Sequence, residues 1–327
     1  MHPVLVEVPW PELGLPVWPA FVLLAIGGAV LGVAAARRKS RSAAVLGAVL
    51  AVAALTLAIT SRGSRFSAGP FEVRAWGVLF AGALFAGSLV AIRRGVARGV
   101  ERELVARACI AASVGGVIGA RLVWVLLHPV ATGSVEGTVA FYQGGLSVWG
   151  GLVGGISGAA LSANRSGAPL FALLDLAAPS LGVGVALTRL GCFLEGCDFG
   201  VPLGKSAPRF IAALGTFPKD SPAWSSHVLS RGLSPTAVTS LPVHPTELYE
   251  VAGGAALVAL ALALGRRKLP PGAVFAAAVL GYLLLRVSLD SLRDDSAEMW
   301  VSRALLLLVI LGTGAVVTFS HFRSRAK

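Results

Sequence analysis

Charged residues are scarce in this sequence, and acidic residues are the scarcest of them. Only 13% of the 327 residues are charged, and the 16 acidic residues are outnumbered by 28 basic ones, whereas 55% of the chain is hydrophobic. So few charged side chains cannot cover the surface of a water-soluble protein. The composition therefore argues against an ordinary soluble domain and indicates a chain that lies mostly in lipid.

Cysteine is also rare, with three residues in the whole chain. Cys109 lies in an apolar run and is expected to pack there as a small side chain. Cys192 and Cys197 are five positions apart with no further Cys or His nearby, a pattern that does not predict a zinc site. A disulfide between these two residues stays open, because the topology predicted below puts them on the oxidising side of the membrane. A role as covalent nucleophile is the less favoured alternative.

Long apolar runs are abundant, and a helix needs about 20 such residues to cross a bilayer. We predict an all-α, polytopic integral membrane protein of about nine transmembrane helices, with the N-terminus outside and the C-terminus in the cytoplasm. The predicted spans are residues 19–36, 43–60, 75–93, 105–127, 144–163, 170–190, 248–264, 273–292 and 301–319.

The basic residues cluster between these runs, at 37–41, 93–103, 266–268 and 323–327. Positive charge marks cytoplasmic loops, and this rule sets the predicted orientation, although the segment 61–65 carries two arginines on the outer side. No aromatic residues alternate with the basic ones, so nucleic acid is not an expected partner. The longest polar, proline-containing stretch, residues 191–245, then forms an outer loop, and a loop of this length is usually functional or disordered.

Ionisable residues in or beside membrane spans are costly and are therefore candidates for function. One group combines Arg189, Glu195 and Asp198 in the segment TRLGCFLEGCDFG. A second lies in HPTELYE, where a helix is expected to begin with His244, Glu247 and Glu250. In the third, Arg286, Asp290 and Arg293 recur at spacings of four and three, which predicts one helix face. That face is either an internal ladder of ion pairs or a polar cavity whose arginines receive an anion such as phosphate.

A fourth segment, QGGLSVWGGLVGGISG, is rich in glycine over residues 143–158. The pairs Gly151/Gly155 and Gly154/Gly158 have the spacing of small residues that let membrane helices pack closely. The segment does not match a phosphate-binding loop. Close approach of lipid to the backbone is the alternative that the spacing leaves open.

Taken in order, the motifs GGLSVWGGLVGG, TRLGCFLEGCDFG, HPTELYE and GYLLLRVSLDSLRDD resemble the prolipoprotein diacylglyceryl transferase family of the bacterial inner membrane. The resemblance covers about residues 70–320 and implies a seven-span core, residues 67–327, behind an N-terminal extension of two spans, residues 1–66. It implies transfer of a diacylglyceryl group from phosphatidylglycerol to the lipobox cysteine thiol of prolipoproteins, with a thioether and glycerol phosphate as products. The expected partners are phosphatidylglycerol, prolipoprotein signal peptides and the bilayer. No cofactor or metal is expected, and the active site would face the periplasm.

The resemblance also implies roles for individual positions. Arg286 matches the arginine thought to face the lipid phosphate, Asp290 stands where the family usually has glutamate, and Glu247 replaces the usual glutamine. The residues expected to be catalytic are Arg189, His244, Arg286 and Asp290. Those expected to bind substrate are Gly145, Trp149, Gly151, Gly154, Cys192, Glu195, Cys197, Asp198, Gly200, Tyr249, Glu250 and Arg293.

Two tryptophans depart from the family pattern. Trp149 occupies a position where many members have histidine or tyrosine, and Trp76 one where they have tyrosine. Tryptophan has an N–H donor and no basic nitrogen, so neither residue can accept a proton. The base is therefore left open among Asp290, Glu195, Asp198, His244 and Glu250. Alternative functions are a catalytically silent relative that binds lipid or prolipoprotein and, less favoured for want of an internal repeat, a transporter.

Overall fold

The computed structural model describes residues 4–8, 15–16, 65–66, 71–128, 145–204, 206–294 and 304. The chain divides into two compact units. The first contains residues 1–5, 73–116 and 155–327, and the second contains residues 6–72 and 117–154. Three predicted spans, 19–36, 43–60 and 301–319, lie outside the described residues, apart from the single residue 304.

Helices dominate the described chain. They are α1 (Ala75–Val96), α2 (Arg102–Leu127), α3 (Val148–Ser166), α4 (Leu170–Glu195), α5 (Arg209–Leu214), α6 (Pro222–Arg231), α7 (Thr246–Leu264) and α8 (Ala273–Leu289), followed by a 3-10 turn, Asp290–Leu292. Four short strands form two ribbons. Strand β1 (Val4–Val8) pairs with β4 (Phe71–Arg74), and β2 (Leu15–Pro16) pairs antiparallel with β3 (Arg65–Phe66).

Five helical segments are long and apolar enough to cross a membrane, as far as the described residues go. These are α1, α2, α4, α7 and the stretch Ala273–Leu292, which joins α8 to the 3-10 turn. Each coincides with a predicted span. The predicted span 144–163 corresponds to α3, which is helical but is not among the five. The result is a multi-pass helical membrane protein.

Helix α4 is the centre of the first unit and packs against α1, α7 and α8. Small residues make these contacts close: Ser180 donates its hydroxyl hydrogen to the carbonyl of Gly87 in α1, at 2.6 Å. Gly182 faces α7, where an added Cβ would lie 2.5 Å from the carbonyl oxygen of Gly254. In lipid the hydrophobic effect does not drive helices together, so close backbone packing of this kind carries the association.

A buried carboxylate fixes the start of α8. Asp175 of α4 accepts hydrogen bonds from the backbone N–H groups of Gly272 and Phe275, both at 2.8 Å. The first N–H groups of a helix have no partner within the helix, so Asp175 satisfies them from a neighbouring helix. This pairing ties α4 and α8 together at the end of α8 away from Arg286.

The predicted outer loop is folded. Helix α4 continues to Glu195, so the non-helical chain begins five residues later than predicted, and α5 and α6 lie within it. Ser221 caps α6 by accepting from the N–H of Trp224, and Pro222 occupies the first helical position. Phe217, Ala223 and Val243 form a small core with Phe193 of α4. This core anchors the loop to the end of α4.

Candidate active site

The carboxylate of Glu250, in the second turn of α7, is fully buried and receives three arginines. Arg286 and Arg293 donate to its Oε1 at 2.9 and 3.1 Å, and Nε of Arg189 lies 3.0 Å from its Oε2. These arginines come from α8, from the segment after the 3-10 turn and from α4. Glu250 therefore joins three parts of the first unit through one side chain.

Asp198 is a second centre in the same cluster. It pairs with Arg189 through Oδ2, and Arg293 donates to its Oδ1 at 3.2 Å. The thiol of Cys192 donates to Oδ2 at 3.4 Å, and the hydroxyl of Thr246 donates to the backbone carbonyl of Asp198 at 3.0 Å. The Asp198 side chain is 31% exposed, so this centre lies at the edge of the cluster. We call Arg189, Asp198, Glu250, Arg286 and Arg293 the arginine cluster.

The charge of Asp198 is set by its surroundings. Burial alone would raise the pKa of this carboxyl, but the positive charges of Arg189, Arg293 and Arg286 outweigh burial and hold the pKa well below its ordinary value. Asp198 is therefore ionised at every physiological pH and is a weak proton acceptor.

Backbone pairing brings the predicted motifs together. Gly200 donates its N–H to the carbonyl of His244 at 3.0 Å, Val201 donates to Leu292 at 2.8 Å, and Gly200 forms an antiparallel bridge with Arg293. An added Cβ on Gly200 would lie 2.5 Å from the oxygen of Leu292 and 2.6 Å from that of His244. Only glycine fits between the two neighbouring segments at this distance, which explains its place in the motif.

One prediction about this cluster is wrong in its geometry. Arg286, Asp290 and Arg293 do not lie on one helix face, because α8 ends at Leu289, a 3-10 turn follows, and Arg293 is extended at φ −92° and ψ 142°. The turn and the bridge to Gly200 carry Arg293 to Glu250 and Asp198. Asp290 is buried at the start of the turn.

Other predicted residues of the first unit lie around this cluster. Glu195 accepts the backbone N–H of Trp76 at 3.3 Å and makes no ion pair with the cluster arginines among the described residues. His244 is half-buried, and its Nδ1 lies 3.4 Å from the hydroxyl of Tyr249. Its backbone, rather than its ring, is joined to Gly200. The thiols of Cys192 and Cys197 are both free.

The predicted glycine-rich segment lies in the second unit up to Gly154. Arg121 donates to the carbonyl of Gly145 at 2.8 Å, and Gly145 has φ +75°, a conformation that favours glycine. An added Cβ on Gly150 would lie 2.2 Å from the carbonyl oxygen of Gly119, so α2 and α3 pack backbone to backbone here. Gly151 belongs to the same first turn of α3. The glycine spacing predicts close helix packing for this segment, and α2 and α3 pack closely at Gly119 and Gly150.

Gly154 and Trp149 also lie in the closely packed part of α3. The Cα of Gly154 lies 2.9 Å from the Cβ that an alanine would place at Gly119. Trp149 is buried with 6% of its surface exposed. Both residues therefore belong to the packed region of α3.

Glu247 was named in the second group of ionisable residues, but it was not among the residues expected to be catalytic or to bind substrate. It lies one helical turn before Glu250, is fully buried, and neither of its carboxylate oxygens has a hydrogen-bond partner among the described residues. The available signal was the acidic residue at the motif position where the resemblance implies glutamine. A buried carboxylate without a partner is costly to place in a protein interior, which marks Glu247 as a candidate for function.

The arrangement can bind an anion. Buried guanidinium groups need countercharges, and here three of them share two carboxylates by direct contact. Nε of Arg286 is buried and has no hydrogen-bond partner within the described residues. Guanidinium groups hold phosphate through their fixed planar donors. Fold and cluster together define a multi-pass membrane protein with a buried, arginine-rich polar centre.

Comparison with known proteins gives the family. The family model for prolipoprotein diacylglyceryl transferase matches residues 64–319, and the chain belongs to this family of transferase enzymes. It is 27% identical over 257 residues to a protein of Nostoc sp. named phosphatidylglycerol–prolipoprotein diacylglyceryl transferase, covering 75% of this chain and 83% of the relative. Relatives of the same name are 33% identical over 244 residues in Rhodococcus jostii, covering 71% and 64% of the two chains, and 29% identical over 254 residues in Synechococcus elongatus, covering 75% and 82%.

Proposed function

We propose that the protein transfers the diacylglyceryl group of phosphatidylglycerol to the lipobox cysteine thiol of prolipoproteins, forming a thioether and releasing glycerol phosphate. The observation that carries the proposal is the arginine cluster, whose side chains come from near the ends of apolar helices. A lipid headgroup lies at this level of a membrane, and its phosphate is the kind of anion that such a cluster binds. The names of the relatives point to the same donor and acceptor.

Arg189 and Arg286 are proposed to hold the phosphate and to stabilise the negative charge that develops on it as the glycerol carbon–oxygen bond breaks. Fixed donors aimed at developing charge are often the largest contribution to catalysis. Arg293, Glu250 and Asp198 would position the two arginines. Holding the glycerol carbon against the thiolate supplies the second contribution.

The thiol must lose its proton before attack, since the thiolate is the nucleophile. Among the candidate bases, Asp198 and Glu250 are engaged by arginines and Glu195 by the N–H of Trp76. His244 is half-buried, lies next to the cluster and is joined to Gly200 through its backbone. A neutral imidazole has a ring nitrogen that can accept a proton, and we therefore assign the proton transfer to His244, with Asp290 as the other candidate.

The remaining predicted residues are proposed to shape the lipid and peptide sites. Gly200 and Tyr249 would border the headgroup, and Cys192, Cys197 and Glu195 would line its entrance. The exceptions are Gly145, Trp149, Gly151 and Gly154 of the second unit, which we propose to hold α2 and α3 together. The N-terminal extension, residues 1–66, and the core, residues 67–327, stay as predicted domains, and the site is proposed to face the periplasm from the bacterial inner membrane.

A mass measurement tests the proposal. The purified chain is incubated with phosphatidylglycerol and a lipobox peptide, and we expect the peptide to gain one diacylglyceryl group through a thioether. Arg189→Ala is expected to abolish this product while the protein still inserts. A folded sample that binds phosphatidylglycerol and forms no product beside an active relative would contradict the proposal.

That negative outcome would instead support a silent lipid-binding relative. One observation favours this second function: the buried residue at position 149 is tryptophan, which cannot accept a proton. The same assay therefore separates the two functions.

A further inference from the structure

The C-terminal end of α4 brings two cysteines side by side. Gly196 is left-handed at φ +71°, its N–H bonds to the carbonyl of Phe193, and the N–H of Cys197 bonds to the carbonyl of Cys192 at 3.1 Å. This pair of bonds is the Schellman helix cap. In such a cap, the side chain three residues before the last helical residue often contacts the side chain two residues after it. Here those two positions are Cys192 and Cys197.

The two thiols meet at the edge of the arginine cluster. The sulfurs of Cys192 and Cys197 and a carboxylate oxygen of Asp198 all lie within 4.8 Å of one another. Cys192 is buried, Cys197 is partly exposed, and both are free. A cation is poorly suited to this place, because Arg189 and Arg293 already engage both oxygens of Asp198 and add positive charge. Thiol chemistry is better suited.

We propose that Cys192 and Cys197 are a dithiol–disulfide pair that reacts with disulfide oxidants. The thiolate of the accessible Cys197 attacks one sulfur of the oxidant, forms a mixed disulfide and expels the first thiol. Cys192 then attacks the Cys197 sulfur and expels the second thiol. One disulfide in the oxidant is reduced to two thiols, which take the two protons, and one disulfide forms in the protein.

The bond would act on the turn that carries Asp198. It would tie the last turn of α4, three residues beyond Arg189, to the residue next to Asp198, and it would remove the S–H donor that Asp198 accepts from Cys192. Asp198 itself has φ +62°, so the turn holds a residue in an uncommon conformation. The oxidised protein is therefore expected to hold Asp198 more rigidly between Arg189 and Arg293.

The chain offers a direct test with an internal control. Both cysteines lie in one tryptic peptide, residues 190–205, whereas Cys109 lies in another, residues 108–121. The purified full chain is treated with glutathione disulfide or with a reductant, alkylated and digested. After oxidation we expect peptide 190–205 to be about 2 Da lighter than its unalkylated dithiol form, because two hydrogens leave, and peptide 108–121 to be alkylated in both samples.

Two other outcomes would overturn the proposal: alkylation of both cysteines after oxidation, or glutathione attached to each without an internal bond. Cys192→Ser is the matched variant, and it should stop at a mixed disulfide of glutathione with Cys197. A closed six-residue loop should also raise the unfolding temperature of the oxidised wild type by a few degrees, with no such change in the variant. These readouts do not involve lipid transfer, so the result is independent of the proposed function.

Discussion

Among single residues, Glu250 organises the site. Its carboxylate is fully buried and receives Arg189, Arg286 and Arg293, which come from different parts of the first unit. Removing one partner of a buried ion pair leaves charge without compensation, which costs more than the pair itself contributes. Loss of the Glu250 charge therefore affects both the fold and the anion site.

Glu250→Gln is expected to lower the free energy of unfolding by about 3–5 kcal/mol and to abolish transfer, because Arg189 and Arg293 would then share Asp198, and Arg286 would lose the carboxylate with which it pairs directly. Thermal unfolding in detergent and the transfer assay check the two effects. Glu101→Gln removes the same charge at an exposed position and serves as the control. Wild-type stability of Glu250→Gln would show that Glu250 does not hold the cluster together.

Asp198 makes stability depend on pH. Its pKa is lower in the folded protein than in the unfolded chain, so its ion pairs stabilise the fold above the ordinary aspartate pKa of about 3.9. That stabilisation is lost progressively as the pH falls below this value. Asp198→Asn should therefore destabilise the protein at neutral pH and differ less from the wild type at about pH 3.

The control for this comparison is Asp220→Asn, since Asp220 is exposed and also has positive φ, +66°. Unfolding midpoints of the three proteins at both pH values give the answer. A difference between wild type and Asp198→Asn that stays the same at both pH values would mean that the charge of Asp198 does not stabilise the fold.

At the scale of helices, the contact of α4 with α7 depends on glycine. Gly182→Ala would place a methyl group 2.5 Å from the carbonyl oxygen of Gly254 and 2.8 Å from the N–H nitrogen of Val258. Gly184 lies two residues further along the same helix, and an added Cβ there would have no atom within 4 Å. The two positions are a matched pair on one helix.

We expect Gly182→Ala to lower the free energy of unfolding by about 1–3 kcal/mol, because α4 and α7 must move apart. Gly184→Ala should leave stability unchanged or raise it, since alanine favours helix. Thermal unfolding of both variants is the measurement. Equal stability of the two would show that the α4–α7 contact accommodates a methyl group.

The helices were predictable from sequence, and the site was predictable only in part. Apolar runs of membrane length gave the described spans to within a few residues at most ends, because lipid demands continuous apolar helices. Motif order indicated Arg189, Glu250 and Arg286 as site residues. The junction at Glu250 was not predictable, since it depends on α8 ending at Leu289 and on Gly200 bridging to Arg293. Such long-range pairing leaves no local periodicity.

For the whole molecule, the predicted orientation places the loop containing α6 outside and the C-terminal end of α3 in the cytoplasm. Ser230 and Ser166 are exposed serines in these two places, and each donates its hydroxyl to the carbonyl four residues earlier. Ser230→Cys, in a chain whose three native cysteines are replaced by serine, should react with an impermeant maleimide in cells with an opened outer membrane. Ser166→Cys should react only after the inner membrane is permeabilised. The reverse pattern would invert the topology.

The central claim is that the arginine cluster binds the headgroup phosphate and supports transfer. The most direct measurement is the single-turnover rate of diacylglyceryl transfer from phosphatidylglycerol to a lipobox peptide by wild type, Arg286→Ala and Arg267→Ala, the last an exposed arginine. We predict that Arg286→Ala lowers this rate by at least about 100-fold, which is the effect expected when one hydrogen-bond donor to the developing negative charge is removed. Arg267→Ala should keep the wild-type rate. A wild-type rate for a folded Arg286→Ala protein would contradict the account.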